Sequence, residues 1–148
     1  MDGVGHGLQQ EWDEHLARAR FDDARAAIEG RPPLRGALAL AARGSALGAF
    51  HPFKSHDGLW FCATPLPGDA EDILPVGIGI TTDPDEYVVW WEHPFRAESG
   101  SRQVIQLLTV DVDEAVGLAV LLARAWDGGV SLTPPPGAEV TGGGRGGR

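Results

Sequence analysis

From about Gln9 to Glu29 the apolar positions recur at helical spacing. Trp12, Leu16 and Ala19 share one face, and Phe21, Ala24 and Ile28 continue the period out of phase, which predicts a helix bent near Asp22-Asp23. Gly30 and Pro32-Pro33 end it. A second helix is predicted from Pro33 to about Ala42, rich in Ala and Leu and nearly free of charge; so apolar a helix has to be buried or packed on a partner. The period then changes to two. Residues 50–62 hold Phe50, Phe53, Trp60, Phe61, two histidines and the only cysteine, with Asp57-Gly58 between two apolar runs as a hairpin signal. Val76 to Ile80 alternates strictly, Tyr87 to Trp91 is β-branched and aromatic, and a fifth run spans about Gln103 to Thr109. Asp111, with Glu114 at capping-box spacing, opens an apolar helix to Trp126, which Asp127-Gly128-Gly129 stops.

These elements predict an α+β fold: an antiparallel meander sheet of about five strands, with two N-terminal helices and one C-terminal helix packed mainly on one face. Residues 1–8 are expected to be a flexible N-terminus and 9–132 a single α+β domain. Residues 133–148 are Pro- and Gly-rich and expected to be disordered. Turn geometry predicts register as well. With Asp57-Gly58 as the loop, Cys62 faces Phe53, and His51 and His56 fall on opposite faces. With Thr82 opposite Tyr87, the residues Ile78, Ile80, Val89 and Trp91 share the face under the helices. Trp90 then lies over Gly77 and Gly79 on the other face.

Composition narrows the function classes. The net charge of −9 argues against nucleic acid, whose phosphates demand a basic footprint, and against anionic membranes. A lone cysteine cannot staple the fold, and no export signal or apolar run of membrane-spanning length is visible, so a cytoplasmic protein is expected. The segment between Lys54 and Arg96 has eight acids and no Lys or Arg, which reads first as a solvated edge and second as a surface for a basic partner.

Candidate chemistry is sparse. His51 and His56 lack the third and fourth ligands that zinc wants, so no metal and no cofactor is expected. His51 and Cys62 share a hairpin face, but a free cysteine between Phe61 and Ala63 reads more readily as a core residue than as a nucleophile. The candidate binding residues are His51, Ser55, His56, Trp60 and Trp90, with Trp90 as an aromatic anchor on the second face of the sheet. The expected partner is a protein or a small molecule, a second copy of the chain included.

Pro33-Leu34-Arg35, then Phe50-His51-Pro52-Phe53-Lys54-Ser55-His56, then Leu59-Trp60-Phe61 resemble an actinobacterial family of unknown function whose members are labelled natural-product biosynthesis proteins. In it a Pro-x-Leu-Arg element precedes a Pro-Phe-x-Ser-His segment and a strand, and a capped helix follows near the end. The resemblance covers roughly residues 9–130 and implies a biosynthetic neighbourhood, with no activity to carry over. The expected function is therefore a small non-catalytic binding or accessory protein. The alternatives are a small tailoring enzyme with a pocket near His51 and His56, and an immunity-type or chaperone-like protein that binds a basic partner.

Overall fold

Trp12, Leu16 and Ala19 are buried on one face of helix α1, Gly3–Ile28. The computed structural model describes residues 3–55, 58–65, 73–82, 85–93, 103–128 and 137–141. Helix α1 begins six residues before the apolar pattern predicts, and Leu8 in its second turn packs against the core. It also runs through Asp22-Asp23 as one helix. The out-of-phase residues need no bend because they face water: Phe21 is 60% exposed and Ile28 87%. Helix α2, Leu34–Arg43, has no cap from its own Pro33. Asp23 supplies the cap from α1, its carboxylate accepting from Arg35 N at 2.9 Å and Gly36 N at 2.7 Å. A Cβ on Gly36 would come within 2.9 Å of that carboxylate, so the close approach depends on glycine. Ser45 then caps a 3-10 turn, Ala46–Ala49, that seats Leu47 in the core.

Six strands follow in simple antiparallel order: β1 (His51–Ser55), β2 (Gly58–Cys62), β3 (Ile73–Thr81), β4 (Glu86–His93), β5 (Gln103–Thr109) and β6 (Glu139–Thr141). Helix α3, Val112–Asp127, lies between β5 and β6 in the chain and packs across β3, β4 and β5. The fold is α+β with the five-strand meander expected, plus a sixth strand from the tail. That strand corrects the expectation of a wholly disordered tail: Val140-Thr141 is β-branched, and β5 offers it a free edge opposite Val104–Gln106.

Both predicted hairpin registers are displaced by two residues. Ser55 pairs with Gly58, so Gly58 already belongs to β2 and not to the loop; His51 thus faces Cys62. In the second hairpin Thr81 faces Glu86 and Ile78 faces Val89. A slip of two keeps every side chain on its face. The β2–β3 ladder shifts between Trp60 and Cys62. Even pairing would set Cys62 opposite Pro75, which has no N–H to give, and the irregularity skips it.

Leu59, Phe61, Val76, Ile78, Val89, Trp91 and Ile105 line the helix-side face, against Trp12, Leu38, Ala42, Ala119 and Leu122. At the start of α3 the capping box is routed through a third residue. Asp111 accepts from Asp113 N at 2.9 Å and Glu114 N at 3.4 Å. Asp111 N donates to Thr109 Oγ1, whose hydroxyl in turn donates to Glu114. Among the described residues no helix is long and apolar enough to cross a membrane.

Candidate functional site

The second face of the sheet carries one continuous row of directly opposed residues: Phe53, Trp60, Gly77, Trp90, Gln106 and Glu139, one from each strand. Trp60 and Trp90 stand on β2 and β4, two strands apart and so separated by about 10 Å at the backbone. Their rings nevertheless stack, with centroids 6.1 Å apart and planes 9° from parallel. Bare backbone on β3 allows it. A Cβ on Gly77 would lie 2.7 Å from the Trp60 indole, and one on Gly79 would collide with the Trp90 ring. Trp90 thus covers Gly79 as the pattern predicts, while Trp60 takes Gly77. The pair is offset-stacked, the arrangement favoured by aromatic quadrupoles.

Both tryptophans and Phe53 are half-buried. Beyond Trp90, Gln106 Nε2 donates to Glu139 Oε1 at 3.2 Å, so the aromatic row ends in a polar, acidic edge made by β5 and β6. Neither Gln106 nor Glu139 was legible as a neighbour of Trp90 from the sequence, because no turn signal between β4 and β5 sets their register and the β5–β6 pairing joins segments separated by all of α3.

The polar candidates go elsewhere. His51 is 6% exposed, and its Nδ1 lies 3.0 and 3.1 Å from the two carboxylate oxygens of Glu11 on α1. An ionised carboxylate only accepts, so Nδ1 carries the proton. Cys62, directly opposite His51 on β2, is fully buried, and its Sγ lies 3.8 Å from Thr64 Oγ1. Ser55 is placed by its pairing with Gly58, but its side chain and all of His56 lie outside the described residues. The structure therefore brings Trp60 and Trp90 together and separates His51 from them, docked on α1. Among the described residues no group of three or more His, Cys, Asp or Glu is placed to hold a metal ion.

The chain matches no family model, no curated protein and no solved structure.

Proposed function

We propose that the chain is a small non-catalytic binding or accessory protein whose recognition surface is the Trp60–Trp90 pair. The observation that carries this reading is the stacked indole pair held against Gly77 and Gly79, on the sheet face opposite the core helices. The stacked indoles offer their outer faces and edges to a flat apolar or aromatic group, and Glu139 at the row's end favours a neutral or cationic ligand over an anionic one. A net charge of −9 opposes a second copy of the chain as the occupant and favours a small molecule or a basic partner. An accessory role in natural-product biosynthesis rests on the resemblance of residues 33–35, 50–56 and 59–61.

The test is a titration of the full chain with 2-naphthol, 2-naphthoate and naphthylmethylammonium, read by tryptophan fluorescence and by amide chemical shifts. Saturable binding of the neutral and cationic probes, weakened about tenfold by Trp60→Ala or Trp90→Ala, supports the reading. No saturable binding, or equal binding by both variants, overturns it. A tailoring enzyme draws support from the His51–Glu11 pair, an imidazole–carboxylate arrangement suited to proton transfer. It ranks second because that imidazole is 6% exposed. Loss of product formation in a His51→Ala strain would reverse the ranking.

A further inference from the structure

Away from the tryptophan face, a cleft opens where α1, α2 and the β1–β2 hairpin meet. Among the described residues Arg18, Arg35 and Lys54 bring three positive charges to it against one acid, Asp22. His15 also lines it, with its pKa held below the ordinary histidine value by burial first and then by Lys54, against the pull of Asp22. At neutral pH the imidazole adds no charge, so the balance of the described lining residues is three minus one, or +2, in a chain whose net charge is −9.

The cations are poorly neutralised. Lys54 Nζ stands 3.8 Å from Asp22, and among the described residues neither Arg18 nor Arg35 pairs with a carboxylate. Arg31 and Arg43, by contrast, meet Asp85 and Asp13 at 2.7 and 2.8 Å. Lys54 is the chain's one lysine, and it also lines the two shallow depressions on either side. The depression toward β1 brings Glu11 and Glu14, but Glu11 is engaged by His51 and Glu14 by Gln10, and neither pairs with Arg18 or Lys54. The other adds Arg25 against Glu29, while its Arg31 is already paired with Asp85, so the positive charge stays centred on the cleft. The N-terminus of α2 contributes little, because Asp23 already occupies the N–H groups of Arg35 and Gly36. Beneath the charges the lining is apolar: Ala19, Leu38, Leu59 and Ile80. A cavity of about 40 Å³ admits only a few heavy atoms.

We propose that this cleft binds a small organic oxyanion, a carboxylate or phosphate ester on a short apolar stem. The oxyanion lies among Arg18, Arg35 and Lys54, where planar guanidinium groups suit its paired oxygens. The stem rests on Leu38, Leu59 and Ile80. The site is separate from the tryptophan row, so either can fail without the other.

Amide spectra of the full chain, titrated at constant ionic strength with butyrate, butyl phosphate, inorganic phosphate and butylammonium, test this. The expected result is saturable shifts at His15 to Asp22, Arg35 to Leu38 and Lys54 with butyrate or butyl phosphate, the tighter of the two naming the headgroup. Arg35→Gln weakens binding roughly tenfold or more. If that variant misfolds, Arg18→Gln, an exposed position, gives the same readout. Arg124→Gln on α3 leaves binding unchanged. No saturable shift, equal binding of butylammonium, or equal weakening by Arg124→Gln overturns the anion site. Equal affinity for inorganic and butyl phosphate overturns the stem.

Discussion

Two buried tryptophans differ in one atom's fate. Trp12 Nε1 donates to Phe50 O at 3.0 Å, whereas Trp91 Nε1 is buried with no hydrogen-bond partner among the described residues. Replacing either ring by phenylalanine leaves a cavity of similar size, but only Trp12→Phe also orphans a carbonyl. Trp12→Phe should therefore cost about 1–2 kcal/mol more than Trp91→Phe in urea titrations. Trp91→Ala should cost about 3–5 kcal/mol, as a core aromatic does, and the half-buried Trp90→Ala clearly less. Equal losses for Trp90 and Trp91 would mean that the second face is as buried as the first. His15 carries a pH prediction. Its folded-state pKa lies below the unfolded value of 6.5, so the unfolded chain binds the extra proton. Stability on this account is full above about pH 6.5 and falls as pH drops through the lowered folded pKa. The groups facing His15 are Glu11, Glu14, Arg18 and Asp22 on its own helix, Arg35 on α2 and Lys54 on β1. His15→Gln should flatten the loss of melting temperature between pH 7 and pH 5; an unchanged slope would refute it.

At the scale of elements, the contact between α1 and α2 depends on a carboxylate borrowed across the fold. Asp23→Ala removes the only side-chain cap of α2 and should lower stability by about 1–2 kcal/mol, with Asp23→Asn recovering part of it. A second device holds the same turn: Tyr87 on β4 donates its hydroxyl to Leu34 O at 3.0 Å, and burial together with Asp23 raises its pKa. The glycines of β3 make the complementary case. Alanine has the better strand propensity, yet Gly77→Ala or Gly79→Ala puts a methyl where an indole lies. Overpacking should dominate, costing about 1–3 kcal/mol. The displaced indole should show a red-shifted, more quenchable emission.

For the whole molecule, the tail is part of the sheet. Ala138 packs against the core, and Glu139–Thr141 pair with Val104–Gln106 at the edge of β5. Ending the chain at residue 136 should lower stability by about 1–3 kcal/mol, from lost ladder bonds and a newly bare strand edge. It should also free Gln106 beside Trp90. An unchanged melting temperature would show that β6 adds nothing to the sheet. Much of the architecture was legible from local periodicity, because helix and strand periods, turn residues and caps are short-range properties. The three helices, the five meander strands and the burial of Trp12, Leu16 and Trp91 all belong to that class. The division of side chains between the two sheet faces also survived both register errors, since each slip was of two residues and faces alternate with a period of two. Register itself depends on which residues can pair, as Pro75 and Gly58 show, and that is settled only when a second strand is present. The same holds for every long-range polar contact. Glu11 on His51, Asp23 on the start of α2, and Arg18, Arg35 and Lys54 around one cleft are joined across 12 to 40 positions of chain. No spacing rule links such residues. Their meeting follows from how α1 and α2 pack against the first hairpin, so only the tertiary structure could decide it.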